Sequence, residues 1–292
     1  MTDLTVAVCG PASWNDIIVL DELPQPVPHM QFARASWSTV GGTSAGKALH
    51  LAQTGVATRL HVLLGDDDEG CRVGDLLARA GVEVVAYPSG RTERHVNLMT
   101  DDGARVSLYV AVPSAAAPAD LTAVRDALRR ATHAVVDLSE LGATVIDGLG
   151  PRGTGPTVWV DLHDYDGRSA FHEPFLGRAD IVFMNGDAVA DADALVRSCV
   201  ERGPRLAVCT LGADGAIAVD RSGVLVRVAA PVVDRVVDTN GAGDAFMAGF
   251  LAANVRGEGL RSCLEAGSAQ AAVALSSRHL HPALDPLIAL PW

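Results

Sequence analysis

Asp244 is the side chain of this sequence best placed for acid–base chemistry, because of what precedes it. The string Asp238-Thr239-Asn240-Gly241-Ala242-Gly243-Asp244 follows a β-branched run, Val232–Val237, and leads into an apolar, Ala-rich stretch. The run predicts a strand or its end and the stretch predicts a helix, so Gly241 and Gly243 fall in a turn entering a helix N-terminus. Such an end carries unpaired N–H groups and the positive end of the helix dipole, which suits an anion. Small residues at Gly241, Ala242 and Gly243 let a phosphate approach the backbone closely. A carboxylate one residue further on would repel a phosphate if binding were its only task. It makes sense as a base that takes the proton of a hydroxyl attacking that phosphate. The plainer reading is a glycine loop with Asp244 as a helix-start carboxylate; the length of the string through Phe250 favours the chemistry.

Other polar groupings admit more than one reading. Gly41-Gly42-Thr43-Ser44-Ala45-Gly46-Lys47-Ala48 fits the P-loop pattern Gly-x-x-x-x-Gly-Lys. Ala48, however, stands where a P-loop needs a hydroxyl for Mg²⁺, and the stretch follows an extended, Pro-rich segment instead of the first core strand. A double glycine at a helix start otherwise lets a substrate lie against the backbone. Asn15-Asp16 come just after the first strand and Gly10. A carboxylate there accepts from vicinal hydroxyls or makes its own turn. Gly65-Asp66-Asp67-Asp68-Glu69-Gly70 has the acidity of a metal cluster but predicts a helix start. Asp161 and His163 follow a core strand, where polar residues face the ligand crevice of an open α/β sheet; no His/Cys spacing supports zinc. Asn185-Gly186-Asp187 predicts a turn capping the next helix, and Thr210–Gly215 a hairpin.

The elements that must position these residues follow from apolar patterning. Runs at Leu4–Cys9, Arg59–Leu64, His133–Leu138, Thr157–Leu162, Asp180–Met184 and Leu206–Cys209 are near-continuously apolar, as strands covered on both faces are. Helical segments lie between them, one beginning near Ser44 and one over Asp68–Ala80, and two more begin at Ala242 and about Leu260. This βαβα order predicts a mostly parallel sheet with helices on both sides. Two segments break the alternation. Asp16–Val40 is extended, with Pro24, Pro26 and Pro28 excluding a long helix, and Arg94–Val110 holds two β runs around Asp101-Asp102-Gly103.

Composition sets bounds. An apolar fraction of 49% over 292 residues supplies a sizeable core, aliphatic because aromatics are only 4%. A net charge of −12 argues against a nucleic-acid surface, though not against a nucleotide site built on backbone N–H groups. Lys47 is the only lysine, so only one is available to any phosphate clamp. The five cysteines are scattered without a Cys-x-x-Cys, which predicts reduced, buried thiols. No signal peptide precedes Leu4, and no apolar run approaches the ~18 residues of a membrane helix, so a cytoplasmic protein without membrane contact is expected.

From Val6 to about Ser276 the chain resembles the ribokinase-like (PfkB) carbohydrate kinases, whose two signatures are similar to Gly41–Ala48 and Asp238–Phe250. The resemblance implies a three-layer α/β fold, with a mostly parallel central sheet, helices on both faces and a small β-sheet lid. It implies a single kinase domain over 1–292, with lid excursions at about 14–40 and 92–112 and a homodimer formed through the lid. It implies transfer of the γ-phosphate of ATP to a hydroxyl of a sugar or nucleoside. Asp244 would then be the base and Gly241-Ala242-Gly243 the anion hole. Asn15, Asp16, Gly41 and Gly42 would bind the acceptor, and Asn185, Thr210, Gly212 and Gly215 the nucleotide side. Mg²⁺ would be served by Asn185 and by Asp187, and a monovalent cation such as K⁺ by Asp238. The chain departs from the family twice. Gly46 stands where Asn is usual, and Ala188 where Glu is usual, with Asp187 one residue early. Lys47 either fills the space left by Gly46 or is a solvated helix residue, and the second is the expectation. These departures keep open a catalytically weak sensor of the same fold, and more remotely a P-loop NTPase.

Overall fold

The computed structural model describes residues 5–101 and 103–288. The buried tetrapeptide Val6–Cys9 forms β1, and the chain then runs into a second sheet as β2 (Ser13–Leu20) and β3 (Ala35–Gly41). Gly42 turns it into α1 (Thr43–Gln53) with φ 96°; a Cβ there would lie 2.5 Å from the carbonyl oxygen of Pro11, so only glycine fits. β4 (Thr58–Gly65), α2 (Asp68–Arg79) and β5 (Glu83–Ser89) return to the first sheet. The acid-rich stretch before α2 is a helix start, as expected: the Asp67 carboxylate accepts from the Gly70 N–H. β6 (Glu93–Thr100) and β7 (Arg105–Ala111) form the second excursion. Asp102 of the hairpin between them, like Leu4 before β1, lies outside the described residues.

The alternation then resumes as α3 (Pro118–Arg130), β8 (His133–Val136), α4 (Glu140–Ile146), β9 (Thr157–Asp161), α5 (Glu173–Arg178), β10 (Ile181–Asn185), α6 (Ala192–Glu201) and β11 (Leu206–Thr210). The predicted hairpin joins β11 to β12 (Ala216–Asp220), and β13 (Leu225–Val228) completes that edge. α7 (Ala242–Val255) and α8 (Leu260–Ala274) close the chain.

The large sheet has the order β13-β12-β11-β10-β9-β8-β1-β4-β5 and is parallel from β11 to β5. Period-2 alternation splits its core in two. Val6 and Val8 face the side covered by α1, α2, α7 and α8; Ala7 and Cys9 face α3 to α6. The result is the expected three layers. Strands are added outward from β1 through β4 to β5, and the chain then returns to the other side of β1 at β8. That reversal is a topological switch point, where a crevice opens at the carboxyl ends of the strands.

The small sheet has the order β3-β2-β6-β7, with β2 and β6 parallel and the other pairs antiparallel. One of its faces looks at the loops before α7 and after α8. Trp37 Nε1 donates to the Arg278 carbonyl at 3.3 Å, Thr39 Oγ1 lies 2.8 Å from His279 Nδ1, and Arg105 donates to Asn240 Oδ1 at 2.6 Å.

Val232–Val237 is not a strand. Pro231 precedes it, Asp234-Arg235 interrupt it, and it runs along the surface with Val232 97% exposed. A β-branched run with nothing to pack against has no cause to pair.

Candidate active site

Gly241, left-handed at φ 77°, caps α7, and a Cβ on it would come within 3.0 Å of Leu280 Cδ2. This glycine is required by the turn. Gly243 differs. It is helical, and a Cβ there would meet nothing within 4 Å. Its side-chain direction opens on empty space, and it belongs to the first turn of α7, where N–H groups and the helix dipole favour an anion.

Asp244 stands in that first turn and is buried. Its Oδ1 accepts from Lys47 Nζ at 2.6 Å. Lys47 is only 1% exposed, and its ammonium also lies 3.0 Å from Asp137 Oδ1 and 3.2 Å from Asp161 Oδ2. Asp137 follows the last residue of β8 and Asp161 ends β9, so both stand at carboxyl ends of strands beside the switch point. Thr43 and Ser44 hydroxyls, at the start of α1, donate to Asp137 Oδ2 at 3.2 and 2.6 Å. The backbone N–H of His163, whose φ is 51°, donates to Asp161 Oδ1 at 3.0 Å.

Lys47 is therefore not the solvated helix residue expected. Ser44 to Leu51 of α1 are all buried, so the helix has no wet face at this position. The P-loop reading loses its lysine by the same geometry, since the ammonium is spent on carboxylates; α1 also follows β3 of the small sheet, not a core strand. Burial lowers the affinity of Lys47 for its proton, but the surrounding carboxylates of Asp137, Asp244 and Asp161 outweigh it and hold the pKa above the ordinary lysine value. Burial pushes Asp244 up to about 6, Lys47 opposes that rise, and Asp137 and Asp161 add to it. Burial would raise Asp161 too, but His163 and Lys47 hold it at about 2. Removing Lys47 would strand these carboxylates in the interior, a change of order 3–5 kcal/mol for a buried pair.

On the small sheet, strand alternation separates two neighbours that the sequence joined. Asn15 faces the site: its Oδ1 accepts from Ser13 Oγ at 2.7 Å, and its amide fills the space over Gly41, where a Cβ would lie 2.1 Å from Nδ2. Asp16 points to the opposite face, towards α2, accepting from Ser38 Oγ at 2.6 Å and Arg94 Nη2 at 2.9 Å. The structure thus brings Asn15, Gly41 and Gly42 to the crevice side and sets Asp16 apart.

Asn185 ends β10 and Thr210 ends β11, further along the same carboxyl edge. The Gly186 N–H donates to the Thr210 carbonyl at 2.9 Å, and the Asp187 N–H to Asn185 Oδ1 at 3.1 Å, leaving the Asp187 side chain exposed. Gly215, at φ 93°, has its missing Cβ 2.0 Å from the Val228 carbonyl and is demanded by the hairpin; Gly212, at φ 56°, borders open space. Asp238 accepts from Asn240 at both oxygens, from the backbone N–H at 2.8 Å and the side-chain amide at 3.2 Å. Asp137 was not singled out from sequence. Its signal was its place, a carboxylate just past an apolar strand, the same signal that marked Asp161.

A crevice of this kind, at the switch point of a parallel sheet and partly faced by a second small sheet, defines the ribokinase-like class of α/β kinases. Ribokinase from Thermotoga maritima shares the fold with a TM-score of 0.77 at 17% identity, covering 98% of this chain and 96% of that one. A microbiome-derived acarbose kinase superposes with a TM-score of 0.79 at 28% identity, covering 95% and 94%. Residues 176–285 match the profile of the pfkB family carbohydrate kinases. Acarbose 7(IV)-phosphotransferase of Actinoplanes sp. is 37% identical over 277 residues, 92% of this chain and 91% of that protein. A nucleoside kinase of Methanothermobacter thermautotrophicus is 27% identical over 279 residues, 92% and 88%. The chain belongs to the pfkB family of carbohydrate kinases, and is a carbohydrate or nucleoside kinase.

Proposed function

We propose that this kinase moves the γ-phosphate of ATP to a hydroxyl of a carbohydrate, with Asp244 as base and Gly241-Ala242-Gly243 as anion hole. The observation that carries the reading is a buried carboxylate, Asp244, one residue beyond an open helix N-terminus and held at about pKa 6, a value suited to a base near neutral pH. Asp244 takes the proton of the acceptor hydroxyl as that oxygen bonds to the γ-phosphorus and the bond to the departing ADP oxygen breaks; the proton then passes to solvent. N–H groups at the start of α7 offset the charge that gathers on the transferred group. Asn15 and the Gly41-Gly42 backbone face the acceptor, while Asp16 serves the small sheet. Asn185, Thr210, Gly212 and Gly215 flank the donor.

Mg²⁺ fits this donor set only as a companion of the nucleotide. Among the described residues no three His, Cys, Asp or Glu side chains form a metal cage, and the carboxylates that do converge surround Lys47. Asn185 and exposed Asp187 would hold the waters of such an ion, which would offset phosphate charge. For K⁺, Asp238 offers a carboxylate already engaged by Asn240; activity in K⁺ against choline buffer tests that role.

The acarbose enzymes among the relatives make acarbose and similar pseudo-oligosaccharides the acceptors to assay first, and the nucleoside kinase keeps nucleosides as the second reading. We take 1–292 as one catalytic unit in which 14–40 and 92–112 act as a lid, with a homodimer formed through it. Cytoplasmic residence accords with five free cysteines and with the lack, among the described residues, of a helix long and apolar enough to cross a membrane. A sensor without turnover is disfavoured because Asp244 and the open turn are intact. ATP consumption measured with acarbose, maltose, pentoses and nucleosides tests the function: acceptor-dependent ADP release supports it, and none with any acceptor favours the sensor.

A further inference from the structure

The family departure at Gly46 and its neighbour Lys47 meet at one atom group, the Asp244 carboxylate. A Cβ at Gly46 would stand 2.9 Å from Asp244 Oδ2, 3.0 Å from its Cβ and 3.2 Å from its Cγ. Any side chain at 46 would push the carboxylate from where it lies. With that space given up, the next residue of α1 supplies an ammonium to the other oxygen, Oδ1, at 2.6 Å. No hydrogen bond from a described residue reaches Oδ2.

We propose that Lys47 is a positioning residue for phosphoryl transfer: its ammonium, itself held by Asp137 and Asp161, fixes Oδ1 of Asp244 and so leaves Oδ2 to the acceptor hydroxyl. This rests on the reading of Asp244 as the base. Three carboxylates gather about one ammonium, so the cluster carries an excess of negative charge. The charged groups acting on Asp244 are Lys47 from α1, Asp137 from the end of β8, and Asp161 with His163 from the end of β9. Lys47 favours the ionised base, and Asp137 and Asp161 disfavour it. A lysine that only filled space would lack this sign.

The test is the acid limb of kcat/KM for the acceptor, measured in wild type, Lys47→Met and Asp137→Asn, with folding checked by circular dichroism and ATP affinity measured separately. Lys47→Met should move the limb up by about one pH unit or more, and cut the rate at neutral pH by ~10-fold or more, with ATP affinity unchanged. Asp137→Asn should move it down by about half a unit or more. Limbs that stay in place, or move in the same direction, overturn the proposal. If Lys47→Met does not fold, Asp137→Asn decides alone: a downward shift supports the proposal and an unmoved limb rejects it. An active Asp244→Asn enzyme would instead remove the base assignment itself, so the two failures are distinguishable.

Discussion

At the scale of residues, the site depends on a carboxylate whose place is set by what is missing beside it. Gly46 lies at the end of the first turn of α1, where alanine would favour the helix. A methyl group there would nonetheless press on Asp244 Oδ2 and Cβ. Gly46→Ala should therefore keep the fold and lower kcat by about 10 to 10²-fold, since a small misplacement of a reacting group is costly. Steady-state kinetics beside a melting curve checks this, and an unchanged kcat would contradict it. Asp244, Gly241 and Gly243 were legible in the sequence because a strand-like run, a glycine turn and a helical stretch follow one another there. Lys47 was not. Whether a lysine is wet or buried depends on how many sides of α1 are covered, and one of those sides is closed by α7, far away in sequence. Asp16 misled for a related reason: two adjacent polar residues look alike in sequence, but a strand sends them to opposite faces.

At the scale of elements, the turn before α7 is the functional one, and its two glycines have different duties. Gly241 is needed for a left-handed turn. Gly243 is free of packing constraint, so a side chain there should cost the fold little. Gly243→Val should fold with nearly wild-type stability and lose phosphoryl transfer, because the side chain enters space reserved for the transferred group. A folded variant with normal activity would remove the anion-hole role. The α/β alternation was legible because parallel strands covered on both faces are apolar throughout. Val232–Val237 failed as a strand because propensity without a packing partner decides nothing. β5 lacks so clear a pattern: it lies at the sheet edge, and of its residues only Tyr87 is buried.

At the scale of the whole molecule, the small sheet leaves apolar surface uncovered. Val106, Leu108 and Val110 of β7 alternate along one face and are 39–49% exposed. An exposed apolar row of this sort marks a contact surface. The proposed homodimer should therefore appear by sedimentation at micromolar concentration, and Leu108→Glu should shift it to monomer without unfolding; a monomeric wild type would end that proposal. The excursions that build this sheet were visible as breaks in the βα rhythm, whereas their facing of the crevice needed the long-range contacts of Trp37, Thr39 and Arg105. The role of Asp244 as base is tested most directly by Asp244→Asn, with phosphorylated acceptor counted per enzyme and ATP affinity measured in parallel. With Asp244 as base, kcat should fall by about 10² to 10⁴-fold while ATP binds as before, as for loss of a general base. A variant that keeps more than roughly a tenth of the wild-type rate would contradict it.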